Sequence, residues 1–267
     1  MGLSVKRIEG KREILGFLNR DRFYAAYAIG DLEPPLAHEC EWYAALNDGE
    51  ITALCLRFQG LPPDRIFVMG KAEGLRPILD EAVNTETAHF AFKQEHLKVV
   101  KRFYSLMRLE HMFRMVLAAE DFAPVEGPVS RLGPMHVHRL EELYRLGGDV
   151  AFAPYQVEQG VFYGLERDDK LVATAGTHLV SRTHGLGIVG NVFTHPDYRG
   201  QGYGTVCCSA VVEELLSQSL DVVLNVERNN EPALRTYERL GFSVYCPFLE
   251  APLSRRTVLR RRSLDAN

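Results

Sequence analysis

Cysteine is scarce in this chain and unpaired in pattern. The five present in 267 residues, Cys40, Cys55, Cys207, Cys208 and Cys246, form no C-x-x-C pair and are odd in number. A zinc cage and a disulfide framework are both disfavoured, and reduced, mostly buried thiols are expected. Long apolar runs are missing too: none approaches the roughly 20 residues that cross a bilayer. The opening MGLSVKRIEGKR lacks the apolar core of a secretory signal, so a cytoplasmic protein without membrane contact is expected. There is no excess of basic residues either. A net charge of −4 disfavours nucleic acid as the main partner, because neutralising phosphates requires a basic surface. The exception is local: RRTVLRRR, residues 255–262, reads as a solvated edge or chain terminus. What remains, 46% hydrophobic and 25% charged, is the composition of a globular protein with a substantial core.

The stretch APVEGPVS, two prolines and a glycine in eight residues, reads as a linker after the helix-like RMVLAAEDF. It divides the chain into residues 1–122 and 130–267, each of ordinary domain size. The two parts share an order of elements. CEWYAALNDGEITALCLRF holds two strand-like runs around Asn47, Asp48 and Gly49, and VFYGLERDDKLVATAGTHLV turns at residues 167–170 between two more. After each hairpin come a strand (DRIFVMG; GLGIVGNVFT), a helix (AEGLRPILDEAV; TVCCSAVVEELLSQ), a strand (TAHFAFK; DVVLNVE), a helix (LKVVKRFYSLM; PALRTYERL) and a last strand. This order predicts a duplicated α/β unit, a mixed sheet flanked by helices.

Only the second part carries a glycine-rich loop that can hold an anion. HPDYRGQGYGT follows the strand GIVGNVF and enters a helix. Glycines let a bulky ligand approach the backbone, and the first N–H groups of a helix lack intrahelical acceptors. The N–H groups of Gln201, Gly202, Tyr203, Gly204 and Thr205 would thus meet an anion at the positive end of a helix dipole. Arg199 offers a fixed charge with a planar fork of donors. The spacing fits neither the G-x-G-x-x-G dinucleotide fingerprint nor a P-loop. The corresponding VMGKAEGL of the first part has Glu73 where an anion would sit, which favours a structural role there.

Downstream, LNVERNNEPALRTYERLGF starts a helix at Asn230-Glu231-Pro232 and ends it at Gly241. Asn230 and Tyr237, two turns apart, should share a face. Arg-x-x-Gly-x-Gly before a helix, then Asn-x-x-Ala-x-x-x-Tyr and Gly-Phe, together resemble the GNAT superfamily of acyl-CoA-dependent N-acyltransferases, over residues 130 to about 250. Within it, the chain looks most like the glycine N-acyltransferase-like branch. The first part is similar to the degenerate GNAT-like domain of tandem members, each domain a mostly antiparallel α/β sheet flanked by helices.

The resemblance implies acetyl-CoA as acyl donor, with no metal and a small amine as acceptor. Its pyrophosphate would lie on Arg199, Gly200, Gln201, Gly202, Tyr203, Gly204 and Thr205. The pantetheine arm would run beside Val192, Phe193 and Thr194, with Asn225, Asn230 and Ala233 on its other side. It assigns protonation of the leaving thiolate to Tyr237, a role that suits a phenol protonated at neutral pH. Many members carry an acid on the strand before the loop, where this chain has only Asn191, which takes no proton. His178 is the first replacement as general base and Glu158 the second. His195 reads as a loop residue facing solvent, and Tyr155 and Gln156 as determinants of the acceptor. A CoA-binding regulatory module with lapsed catalysis and a protein-modifying acyltransferase are the alternatives.

Overall fold

The computed structural model describes residues 3–147 and 152–256. They form two compact units, one of Met1–Gly10, Glu39–Glu110 and Leu249–Asn267, the other of Lys11–His38 and His111–Phe248. The division differs from the expected break at residues 123–130. That stretch is no free linker: Val125 N–H donates to the Ser209 hydroxyl at 2.8 Å, and Ala123 N–H donates to the Leu240 carbonyl. Proline and glycine remove regular structure there without removing packing.

In the first unit the strands Ser4–Arg7, Cys40–Asn47, Glu50–Phe58 and Asp64–Gly70 pair antiparallel in sequence. Asp64–Gly70 then pairs parallel with Thr87–Phe92, whose other edge receives residues 249–254 of the strand Ser243–Arg255. Phe90, Phe92, Val68, Leu75, Ile78 and Tyr104 fill its core. The buried His96 bonds the Gly70 carbonyl at 2.9 Å through Nε2, beside the helix Ala72–Pro77. Arg255 reaches the Tyr104 hydroxyl at 3.1 Å, and Arg256 the Tyr104 carbonyl at 3.2 Å. The first two arginines of the basic tail are therefore anchored, and residues 257–262 lie outside the described residues.

The second unit repeats the pattern. Tyr163–Arg167, Lys170–Ser181 and Leu186–Thr194 are antiparallel, and Leu186–Thr194 pairs parallel with Asp221–Glu227. Asp221–Glu227 pairs antiparallel with Glu110–Leu117. Among the described residues both units are thus mixed sheets with a single helix-bearing parallel crossover, the Tyr203–Ser217 helix spanning the second. The two hairpins turn through left-handed residues, Asp48 and Gly49 at φ 51° and 86°, Asp168 and Asp169 at 49° and 59°. These are the signs that two-residue turns need to match strand twist. The helix expected over RMVLAAEDF is instead the end of the strand Glu110–Leu117 and a 3-10 turn, Ala119–Asp121. Its alanines and acids favour helix locally, but pairing with a strand a hundred residues later overrides them. Among the described residues no helix is long and apolar enough to cross a membrane.

Candidate functional site

The two parallel strands of the second unit do not stay together. Their pairing ends at Val189 opposite Leu224. Beyond that point each keeps only its outer neighbour: Phe193 and Thr194 still oppose Thr174 and Ala173, while Asn225, Val226 and Glu227 oppose Arg114, Phe113 and Met112. The inner edges part into a wedge, where backbone donors and acceptors that a ladder would have used are available to an extended, amide-bearing ligand. One wall carries a β-bulge. Gly190 opposes Gly176 and Phe193 opposes Thr174, so Asn191 and Val192 stand against Ala175 alone. Asn191 adopts φ 52°, which asparagine tolerates better than most side chains.

A hydrogen-bonded frame fixes the bulge. The buried Tyr144 hydroxyl donates to the Asn191 carbonyl at 2.7 Å. Asn191 Nδ2 donates to the Thr177 carbonyl and to Gln156 Oε1, both at 3.3 Å, and Gln156 Nε2 donates to the His178 carbonyl at 3.3 Å. Because carbonyls only accept, these bonds set both amide orientations. The Asn191 Oδ1 atom is buried and accepts no hydrogen bond among the described residues. The imidazole of His178 lies over Gly190 and is tilted against the Tyr27 ring, with centroids 5.9 Å apart.

The strand then leads into the glycine loop. His195 caps the turn Pro196–Tyr198, its Nδ1 accepting from Asp197 N–H at 3.2 Å, and packs on Tyr198. It is half-buried, where the sequence suggests a residue facing solvent. Gly200 and Gly202 take φ 76° and 79°, a conformation that other residues reach at a cost of roughly 1–2 kcal/mol. Gly202 begins the helix Tyr203–Ser217 with no side-chain cap, so the N–H groups of the first turn remain for a ligand. Arg199 is exposed, donating through Nε to the Thr194 carbonyl at 3.2 Å and covering the Phe193 ring at 5.7 Å. Tyr203 turns its hydroxyl to Arg167 at 3.2 Å, and Thr205 is buried against Thr236 at 3.5 Å. Both also present a backbone N–H at the helix start to an anion.

On the far wall Asn225 is the first residue past the last parallel pair. Asn230 caps the helix Glu231–Arg239, its Oδ1 accepting from Ala233 N–H at 3.2 Å. Both groups are thereby engaged with each other, and only Nδ2 of Asn230 is left for a ligand. Asn230 is exposed and Tyr237 buried, so the shared face expected for them is not formed: a cap lies outside the helical repeat. Tyr237 packs on Phe242 with ring centroids 6.0 Å apart. Burial pushes its phenol far above the ordinary tyrosine range, and Cys208 and Tyr27 push it further. Glu158 is exposed on the helix Tyr155–Gln159 and joins no part of this frame.

One residue here escaped sequence reasoning. Asp31, directly after the helix Ala26–Gly30, has its carboxyl raised to about 7 by burial. No motif surrounds it in AIGDLEPP. In the first unit, His89, Glu110 and Glu250 bring ligand atoms within 4.8 Å of one another. Arg108 pairs with Glu110, and His89 Nε2 lies 3.4 Å from Glu250, which makes this trio an ion-pair cluster.

Residues 133–242 match the profile described as the Acetyltransferase (GNAT) family. Curated relatives are named mycothiol acetyltransferase. The one from Mycobacteroides abscessus is 38% identical over 104 residues, 36% of this chain and 34% of that protein. The matched segments span only 16%, 27% and 34% of three such relatives. Among solved structures, a GCN5-related N-acetyltransferase from Sphaerobacter thermophilus superposes with a TM-score of 0.62 at 15% identity, covering 94% of this chain and 95% of that one. A tandem GNAT protein from the clavulanic acid biosynthesis pathway gives 0.57 at 13%, covering 95% and 98%. At these identities the structures speak to the fold.

Proposed function

We propose, from the match of residues 133–242 to the Acetyltransferase (GNAT) family profile, that this chain moves an acetyl group from acetyl-CoA to the amine of a small molecule or amino acid. The observation that carries the reading is the continuity of wedge and loop. The strand Leu186–Thr194 supplies an open edge and runs, through residues 195–202, into an uncapped helix N-terminus. An extended thioester arm ending in a pyrophosphate suits both, edge to arm and N–H cluster to phosphate. The named relatives support acetyl as the group transferred.

In this reading the phosphates rest on the backbone of Gly200, Gln201, Gly202, Tyr203, Gly204 and Thr205, with Arg199 swinging from Phe193 to meet them. The arm follows Val192, Phe193 and Thr194, and Asn225 faces it. A strand-edge N–H donates to the thioester oxygen as negative charge develops there, a contribution typically worth about 10² to 10³ in rate. Tyr237, kept protonated by burial, gives its proton to the departing sulfur. The five free cysteines suit a reducing, cytoplasmic setting.

The test pairs binding with turnover. Calorimetry should give a CoA affinity that Gly202→Glu abolishes, and glycine, ethanolamine and benzylamine offered with acetyl-CoA should release free thiol in at least one case. A chain that neither binds CoA nor releases thiol is not an acetyltransferase.

A further inference from the structure

Acetyl transfer to an ammonium group requires that a proton leave nitrogen before attack, and the bulge strand carries asparagine where an acid would serve. We propose that Asp31 is the general base of this site, receiving the amine's proton at the mouth of the wedge. The inference rests on the acetyltransferase reading and assigns a residue within it.

Four observations place Asp31 there, all within the second unit. The helix Ala26–Gly30 packs on the strands Lys170–Ser181 and Leu186–Thr194, the pair that carries the bulge. Asp31 N–H donates to the Tyr27 carbonyl at 2.9 Å, so the two residues lie one turn apart on the same side of that helix. Tyr27 in turn meets the ring of His178, which covers Gly190 beside the bulge. Burial and, after it, the negative charge of Asp31 raise the Tyr155 phenol, and Tyr155 opens the short helix whose next residue, Gln156, holds the Asn191 amide. Asp31 therefore lies within electrostatic reach of Tyr155 and one helical turn from Tyr27, and is partly exposed.

The surroundings suit a base. Desolvation raises the carboxyl to about 7, so it both ionises near neutrality and holds a proton well. The groups that face this corner are Tyr155 from its helix, His178 from the neighbouring strand and Tyr27 from Asp31's own helix. Arg114 lies over the Tyr27 ring at 4.7 Å, Tyr237 senses Tyr27, Lys11 donates to the Leu32 carbonyl at 3.1 Å, and Glu33 is held by Ser181 and Thr183. His178 is the weaker candidate because its ring already packs on Gly190 and near Tyr27.

Atoms and electrons balance. Asp31 carboxylate takes one proton from R–NH3+ and the nitrogen lone pair attacks the thioester carbon. The C–S bond breaks as the C–N bond forms. A second N–H proton replaces the one that Tyr237 gives to sulfur, and Asp31 returns its proton to solvent. One ammonium and one thioester yield one amide, one thiol and one released proton.

In the experiment, thiol release from acetyl-CoA with glycine, ethanolamine or benzylamine is followed from pH 5 to 9 for wild type, Asp31→Asn and Asp31→Glu. Wild-type kcat/KM should rise with pH to a plateau above a midpoint near 7. Asp31→Asn should lose that limb and about 10² to 10⁴ in rate, with acetyl-CoA affinity intact, and Asp31→Glu should recover part of it. An Asn variant with the wild-type rate and limb overturns the proposal. A second measurement needs no turnover: the Asp31 side-chain carboxyl carbon resonance, found by its loss in Asp31→Asn, should titrate near 7, and benzylamine should move its midpoint. A midpoint near 4 with no response to the amine overturns the role of Asp31. Absence of thiol release by wild type with every amine, the resonance behaving as expected, overturns the acetyltransferase reading instead.

Discussion

The imidazole of His178 occupies the space that any side chain at position 190 would need: a Cβ on Gly190 would stand 2.0 Å from its Cδ2 and 2.2 Å from its Nε2. The ring and the backbone of the bulge strand are in direct contact because Gly190 has nothing to interpose. Gly190→Ala should cost about 1–3 kcal/mol, the usual range for overpacking. His178→Ala in the same chain should return most of it. Urea unfolding of both single variants and the double variant measures the coupling, and simple additivity would mean that the ring is not the obstacle.

At Gly202 two effects can be separated. Its φ of 79° makes any other residue strained, yet there is open space around a Cβ. Gly202→Ala and Gly202→Glu should therefore lose similar stability, roughly 1–2 kcal/mol. Only the glutamate, whose charge would oppose a pyrophosphate at the helix N-terminus, should abolish CoA binding in calorimetry. Equal CoA affinity in the two variants would remove the phosphate from this loop.

Tyr237→Phe keeps the ring and its contact with Phe242 and removes one proton donor. If the phenol protonates the thiolate, kcat should fall about 10- to 100-fold, near the lower end for general acid catalysis because a thiolate leaves readily. Acetyl-CoA affinity should hold. A residue serving only the core would lose about 1 kcal/mol of stability with one hydrogen bond and leave turnover alone. Steady-state kinetics and thermal melts on one preparation distinguish the two.

Asp31 should leave a signature in stability as well as in rate. Its carboxyl moves from 3.8 in an unperturbed chain to about 7 in the fold. Between those values the folded state keeps a proton that the unfolded state has released, so the contribution of this group to stability falls as pH rises and levels off above 7. A tenfold change in proton affinity corresponds to about 1.4 kcal/mol, reduced here by partial exposure to solvent. Asp31→Asn should therefore gain on wild type in unfolding free energy from pH 5 to pH 7.5. A constant difference across that range would show that the carboxyl ionises normally.

Much of this architecture is legible in the sequence wherever the cause is local. Asp48-Gly49 and Asp168-Asp169 announce their turns because few residues tolerate positive φ, and the loop around Gly200 and Gly202 announces itself for the same reason. The arginine and glycine spacing also places the helix start to within two residues, Thr205 expected and Tyr203 observed. What is not legible depends on distant chain. Arg114–Leu117 looks helical until Val222–Asn225 pairs with it. Asn230 reads as a ligand donor because the same oxygen that could hold an arm also caps a helix. Asp31 carries no signal at all, since its character comes from strands about 150 residues further along.

Among the described residues, the unit that contains the first strand also contains the end of the last. Thr87–Phe92 has Asp64–Gly70 on one edge and residues 249–254 on the other, so a ribosome that has made residue 248 has yet to deliver a neighbour to that strand. Residues 11–38 and 111–248 are by then all synthesised, and the second unit is complete in sequence while the first is not. Vectorial synthesis thus sets an order of maturation opposite to the order of reading: the portion begun first is closed last, and until it closes, the open backbone edge of Thr87–Phe92 is a place where another nascent chain can pair.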